Sequence, residues 1–379
     1  MPTRKKTHNG VTQANDGPPT EEEHMVTTAE RTETPAPAGE PRWKEVGLTE
    51  DTLREMYYFM LLARLVDERM WLLNRQGKAP FVISVQGHEA AQIAVGFAME
   101  TGKDWFVPYY RDLALMMVLG QTPRDIMLSL FAKADEPNSG GRQMPAHYGF
   151  SRARVFTSAS PVGTQWPHAV GLGLAAKLRG TDEVAAGFGG EGSTSQGDWH
   201  EAMNFAAIHS LPVLFVVENN KYAISVPLHL QMHTATVAVR GAAYGMPGVS
   251  VDGTDPIESY AAVREAVLRA RRGEGPTLLE MRCIRMTAHS SDDNDRSYRT
   301  KEEKEAERAA GDPVAKFEHY LLEQGILTEA QEQEFRTRIA AEVNDATDYA
   351  EKAADPRVED VLLHVYATPE EVAAWRSRL

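Results

Sequence analysis

From residue 184 onward, short apolar runs alternate with longer amphipathic ones. VAAGF (184–188), VLFVVE (213–218), GVSVDG (248–253) and TLLEMRC (277–283) have the length and composition of buried strands. DWHEAMNFAAIHS (198–210), ATVAVRGAAYG (235–245) and PIESYAAVREAVLRARRG (256–273) have helical spacing. Apolar strands joined through helices imply right-handed crossovers, hence an α/β fold with a parallel sheet flanked by helices on both faces. Upstream, Leu53, Met56, Tyr57 and Met60 recur at helical intervals, with Thr49 as N-cap and Gly77 as terminator. Two more helices are predicted over QGHEAAQIAVGFAM (86–99) and TQWPHAVGLGLAAKLRG (164–180).

The ends of the chain break this pattern. Residues 1–43 are rich in Pro, Thr, Glu and Gly, cannot bury enough apolar surface to offset ordering, and read as a disordered tail. Residues 44–305 form the α/β domain on this reading, and 306–379, charged and helical, a C-terminal extension. A net charge of -14 argues against a broadly basic nucleic-acid surface but leaves room for a local phosphate pocket. No run approaches the ~20 apolar residues of a membrane helix, and the N-terminus has no apolar signal core. The one cysteine, Cys283, sits in an apolar run and fits a reducing cytoplasm.

The chemistry concentrates in AAGFGGEGSTSQGDW (185–199). Gly187, Gly189 and Gly192 spell a dinucleotide-type G-x-G-x-x-G, and Glu218 lies near where such a site wants an acid. However, the residues after Gly192 are polar and turn-prone, and the apolar helix begins only near Trp199. Asn219 and Asn220 follow the next strand directly, with 26 residues between Gly192 and Asn219, enough for one helix and one strand. A carboxylate at one strand end and an amide at the next would meet at the carboxyl edge of a parallel sheet, where ligands bind. Such oxygen donors suit Mg²⁺ with diphosphate, and the glycines permit close backbone approach.

GEG…ENN at this spacing resembles the Gly-Asp-Gly…Asn-Asn signature of thiamine diphosphate enzymes, with Glu191 where that family has Asp. YYRD, GRQMPAHYG, ASPVGTQWPHAVG, GDWHEAMNFAA, NNKYAIS and HSSDD together resemble the alpha subunits of branched-chain 2-oxo acid dehydrogenases over roughly residues 50 to 300. Pyruvate and acetoin dehydrogenase alpha subunits share the scaffold but usually carry Gly-Gly-Ser-Met-His where this chain has GRQMPAH.

The resemblance implies an oxidoreductase that decarboxylates branched-chain 2-oxo acids and passes the acyl group to the lipoyl group of a partner acyltransferase. It implies thiamine diphosphate, Mg²⁺ and a K⁺-type cation, and a beta subunit in an α₂β₂ assembly that supplies the aminopyrimidine half of the site. Cofactor contacts then fall to Tyr110, Arg111, Ser160, Val162, Gly190, Glu191, Gly192, Ser193, Asn220, Tyr222 and His289. Glu191, Asn220 and the Tyr222 carbonyl take the metal; Pro161, Thr164 and Gln165 take the monovalent cation. Phe81, Met144 and His147 line the acyl pocket, and His289 and His147 are the catalytic histidines. Ser290 matches a position that related mitochondrial enzymes phosphorylate, in a 287–299 loop expected to order with cofactor. Each side chain also has a plainer reading: an ion pair for Arg111 with Asp112, core packing for Phe81 and Met144, a satisfied loop residue for His147, a solvated loop for His289, a helix start for Thr164 and Gln165. His88 reads as structural. A pyruvate or acetoin dehydrogenase alpha subunit, a nicotinamide-dependent dehydrogenase and a non-catalytic assembly subunit remain the rival functions.

Overall fold

The computed structural model describes residues 41–363 and 365–377. The expected disordered tail lies outside these residues except at its last positions. There a short helix, Arg42–Glu45, begins and buries Trp43.

Five strands form one parallel sheet in the order Trp105–Val107, Ala185–Gly190, Val213–Asn219, Thr277–Arg282, Gly248–Asp252. Its side chains alternate between two cores, as a period of two requires. Ala186, Phe188, Leu214, Val216, Leu279 and Met281 face the core built on helices Glu50–Arg75, Glu89–Ala98 and Pro256–Arg271. Ala185, Val213, Phe215, Val217 and Leu278 face the other, where helices Gln165–Arg179 and Gly197–Ile208 contribute Trp166, Ala169, Trp199 and Met203. Thr49 caps the first long helix as expected, its hydroxyl accepting from the Thr52 amide at 3.1 Å.

Three features differ from the sequence reading. The segment 235–245 is a 3₁₀ helix over Ala238–Tyr244, where a Cβ on Gly241 would stand 2.9 Å from the Met246 carbonyl oxygen and Gly245 turns the chain with φ +73°. The first strand, three residues long, and the helices Leu113–Val118 and Pro123–Leu130 are too short to show a period. Third, residue 305 falls inside helix Lys301–Gly311, and the described residues from Arg42 onward form one compact unit. Helix Glu329–Lys352 sends Ile339, Val343, Ala346 and Ala350 into the same core as Met56 and Met60. The C-terminal helices are therefore part of the α/β body. No described helix is long and apolar enough to cross a membrane.

Candidate active site

Gly190 pairs in register with Glu218, so the chain leaves two neighbouring strands at the same level. A 3₁₀ turn, Glu191–Ser195, follows the first strand and Asn220 follows the second. The turn is tight: a Cβ on Gly189 would stand 2.6 Å from the Trp166 ring, and one on Gly192 2.5 Å from the Ala223 Cβ. Glu191 and Asn220 meet directly, the Asn220 amide donating to Glu191 Oε2 at 3.2 Å. Gln231 Nε2 donates to Glu191 Oε1 at 3.1 Å. Burial pushes the Glu191 carboxyl above the ordinary glutamate range, with the Gln231 and backbone donors opposing it. The Asn220 side-chain amide stands 3.0 Å from His88 Nε2. Burial first, and the Arg111 charge next, hold His88 well below its usual value. The ring is therefore neutral and accepts from Asn220 Nδ2, which turns Asn220 Oδ1 the other way. The Tyr222 amide donates to that oxygen at 3.2 Å.

Above these tips lie two guanidinium groups. Arg111 is 2 % exposed, donates from Nη1 to the Ser84 carbonyl at 2.6 Å, and reaches both His289 Nδ1 and the His289 carbonyl at 3.3 Å. Arg285, 1 % exposed, donates to the Tyr298 hydroxyl at 2.7 Å and the Tyr222 carbonyl at 3.4 Å. Neither forms a salt bridge to a carboxylate among the described residues, and the Nε of each has no partner. Buried cations are ordinarily paired. Two of them without a salt-bridged carboxylate, although Asp112 and Glu218 lie near Arg111 and Asp293 near Arg285, leave a place for an anion. This disposes of the surface ion pair between Arg111 and Asp112: both residues are buried, and Asp112 Oδ2 accepts instead from the Tyr109 amide at 2.8 Å.

Every residue assigned from sequence to the cofactor lines a single cavity of about 360 Å³. Gln165 lines it too. The acyl-pocket trio does not. His147 stands one side chain away, its Nε2 2.6 Å from the Ser160 hydroxyl, while Met144 is 52 % exposed and Phe81 is half-buried at the start of the segment bonded to Ser291. Of the cation trio, Thr164 donates to the Pro161 carbonyl at 3.1 Å and Gln165 Oε1 accepts from the Gly163 amide at 3.1 Å.

The 287–299 segment is folded onto the body. The His289 amide donates to Asp293 Oδ2 at 2.9 Å, Arg299 donates to the Arg285 carbonyl at 2.8 Å, and Ser290 is buried. Sequence reasoning missed Arg285, Gln231 and the side-chain role of His88. Arg285 had a usable signal, since it follows the strand Thr277–Arg282 at the same sheet edge. Glu218 is excluded as a ribose ligand: it is fully buried, and Oε2 accepts from Tyr109 at 2.9 Å and Gln92 at 3.1 Å.

Burial, then the neighbouring Arg111 and Arg285 charges, pull His289 down to about 3, against the opposing Asp293. The ring is neutral at neutral pH, with Nδ1 accepting from Arg111 and Nε2 left to donate. Because the folded value lies below the unfolded one, His289 costs stability as pH falls from about 6.5 toward the folded value. In the cofactor-free protein the His289 ring signals in NMR are expected not to move between about pH 5 and 8. A midpoint inside that range would contradict this environment.

An open parallel sheet whose adjacent strand tips gather a carboxylate, an amide and a carbonyl under two unpaired arginines defines an α/β enzyme of the diphosphate-binding class. The chain belongs to the dehydrogenase E1 component family, whose sequence profile matches residues 57–359. It is 53% identical, over 86% of its length and 98% of the relative's, to the 2-oxoisovalerate dehydrogenase subunit alpha of Bacillus subtilis. It is 35% identical over 87% of both chains to the 3-methyl-2-oxobutanoate dehydrogenase subunit alpha of Mycobacterium tuberculosis. The pyruvate dehydrogenase E1 component subunit alpha of Bacillus subtilis is 36% identical over 84% of this chain and 83% of its own. Membership implies thiamine diphosphate as cofactor. The residues present fit it: the cavity is walled by glycines that admit close backbone approach, and Arg111, which lines it without a carboxylate partner, suits a diphosphate-like anion.

Proposed function

We propose that this chain is the alpha subunit of a branched-chain 2-oxo acid dehydrogenase, with 3-methyl-2-oxobutanoate dehydrogenase (2-methylpropanoyl-transferring) activity in the assembled enzyme. The observation that carries the site reading is the direct contact of Glu191 and Asn220 beneath Arg111 in one cavity. The substrate class rests on the identity to the Bacillus subtilis 2-oxoisovalerate enzyme, well above that to its pyruvate counterpart, and on GRQMPAH at 141–147.

When bound, thiamine diphosphate supplies the electron sink for decarboxylation of a 2-oxo acid. The chain's residues bind and orient around it. Arg111 and Arg285 place two cations over the strand tips, and the turn Gly190–Ser193 lets backbone amides approach the phosphates. Glu191, Asn220 Oδ1 and the Tyr222 carbonyl are the oxygen donors for Mg²⁺, with His88 and Gln231 fixing the first two. Among the described residues no group of three or more His, Cys, Asp and Glu is placed to hold a metal ion, so a metal here would take its remaining ligands from the diphosphate. Tyr110 packs edge-on against His289, with ring centroids 5.8 Å apart. His289 offers its Nε2 proton toward the cavity, and His147, through Ser160, holds a second imidazole at the rim. Pro161, Thr164 and Gln165 would brace the 159–165 loop around K⁺. Phe81, Met144 and His147 would define the acyl pocket once a neighbouring subunit closes it.

Two features support a partner across this cavity. Val162 and Ile224 line it yet are 42% and 55% exposed. The described residues also form one domain on a single five-stranded sheet, which accounts for the diphosphate half of such a site. A beta subunit in an α₂β₂ assembly supplies the rest, and a lipoyl-bearing acyltransferase takes the acyl group. The proposed location is the cytoplasm, in keeping with Cys283 as a free thiol.

Purified alone with thiamine diphosphate and Mg²⁺, the chain is expected to show no turnover of 3-methyl-2-oxobutanoate. Mixed with its beta subunit it is expected to prefer that substrate and 4-methyl-2-oxopentanoate over pyruvate by at least about tenfold in kcat/KM, the scale that one or two methylenes in an apolar pocket supply. Robust turnover by the lone chain sinks the shared site, and a preference for pyruvate sinks the substrate class.

A further inference from the structure

Behind the cavity, a segment without regular secondary structure, residues 82–88, runs between the Arg111 side chain and the strand of chain that carries His289. Each of those two neighbours is bonded to it. The Ser84 carbonyl accepts from Arg111 Nη1 at 2.6 Å. On the other side the Val82 carbonyl accepts from the Ser291 amide at 2.8 Å, and the Gln86 and Gly87 carbonyls from the Met286 and Ile284 amides at 3.3 and 3.4 Å. The approach is close enough to demand glycine. A Cβ on Gly87, whose φ is +97°, would stand 2.0 Å from the Ile284 carbonyl oxygen.

The segment has no ladder and no helix; its backbone closes one turn, the His88 amide donating to the Val85 carbonyl at 2.9 Å, and Glu89 Oε2 accepts from the Gly87 amide at 2.7 Å. The residues around Ser84 are gathered by one further side chain. Asp67, on helix Glu50–Arg75 and fully buried, accepts from three successive residues of the segment. Its Oδ1 takes the Val85 amide at 3.1 Å, and its Oδ2 takes the Ser84 hydroxyl and Gln86 Nε2, both at 2.8 Å. The Ser84 hydroxyl in turn accepts from the Gln86 amide at 3.2 Å. Burial pushes the Asp67 carboxyl up to about 7 with the three donors opposing it, and in its ionised form it receives all three without conflict. An amide of the same shape has one acceptor oxygen and would set its own N–H groups against a donor.

We propose that Asp67 is a positioning residue: by gathering Ser84, Val85 and Gln86 it sets the carbonyls that hold Arg111 and the His289 segment in register over the cofactor cavity. Asp67 touches neither cofactor nor substrate, and acts through the segment. This rests on the assignment of Arg111 and His289 to thiamine diphosphate.

The test is a double-mutant cycle in the assembled alpha–beta enzyme, titrating thiamine diphosphate at fixed Mg²⁺. Asp67→Asn is expected to weaken binding about tenfold or more, the usual scale for an outer-layer partner of a ligand-binding group. In an Arg111→Lys background, where the fork to the Ser84 carbonyl is already lost, the same change is expected to cost clearly less than it does alone, about threefold or less, the remainder being the part that acts through the His289 segment. A residue that merely supports the fold would give losses that multiply. Multiplying losses, or wild-type affinity in Asp67→Asn, overturn the positioning role. Ser84→Ala serves as a milder second variant that removes one of the three bonds, with the same non-additivity expected. If Arg111→Lys alone leaves affinity unchanged, the cofactor reading of the site fails and takes the positioning role with it. If Arg111→Lys weakens binding while Asp67→Asn does not, only the positioning role fails.

Discussion

Replacing Arg111 with alanine is expected to cut thiamine diphosphate affinity of the assembled enzyme by at least about 100-fold, since a charge-assisted hydrogen bond is worth about 1.5–3 kcal/mol and more than one is lost. Burial makes the loss large. Arg111 is 2 % exposed and has no carboxylate partner, so no solvent or counter-ion replaces it when the side chain goes. The substitution also leaves the Ser84 carbonyl and His289 Nδ1 without their donor. It further removes one of the charges that depress His289, so the imidazole is expected to titrate closer to its ordinary range in the variant. Arg111→Lys is expected to recover only part of the affinity, because a point ammonium cannot reach the Ser84 carbonyl and His289 together while facing a phosphate. Calorimetric titration with thiamine diphosphate reads the first effect and histidine NMR the second. A dissociation constant within about twofold of wild type would show that the diphosphate does not lie at this guanidinium, whose bonds alone should be worth far more.

Much of this site could be read from sequence because its central residues sit at predictable places. Glu191 and Asn220 each follow a short apolar run, and strand tips in a parallel sheet share one edge whatever their spacing in the chain. The 26 residues between Gly192 and Asn219 were therefore enough to bring the two together. What could not be read was any partner that arrives from a segment without a period. His88 looks like the first residue of a helix and does occupy that place, ahead of Glu89–Ala98, but its ring reaches 132 positions along the chain to Asn220. Gln231 comes from a four-residue helix, and Asp67 reads as an ordinary polar position in a long amphipathic one. Nor does sequence reveal that the C-terminal helices close the core. Their exposed faces dominate the composition, while four small and branched residues in Glu329–Lys352 do the packing. The acyl-pocket residues are a different case. Phe81, Met144 and His147 do not line the cavity, and only His147 touches a residue that does, through Ser160.

Glu191→Ala is expected to abolish metal-dependent turnover, and Glu191→Gln to come close to it. The comparison of the two separates charge from shape. Glutamine keeps an acceptor oxygen for the Asn220 amide and fills the same space, so the strand tips stay together. What it lacks is the one negative charge among the proposed donors, the others being a carboxamide and a backbone carbonyl. Mg²⁺ binds hard anionic oxygen and dehydrates reluctantly, so a neutral set leaves the metal to the diphosphate alone. An apparent loss in Mg²⁺ affinity of about 10–100-fold or more is expected for Glu191→Gln, on the scale seen when even outer partners of a metal are removed. Glu191→Asp is expected to retain measurable activity at raised Mg²⁺, because the charge survives and the reach shortens by one methylene. Proton competition gives a further check. Burial raises the Glu191 carboxyl, so its proton must leave before the metal enters, and apparent Mg²⁺ affinity is expected to fall as pH drops through that raised value. In Glu191→Gln that part of the pH dependence should vanish. Activity titrated against Mg²⁺ at several pH values measures both effects. If alanine and glutamine at 191 both leave the Mg²⁺ requirement unchanged, the metal is held elsewhere.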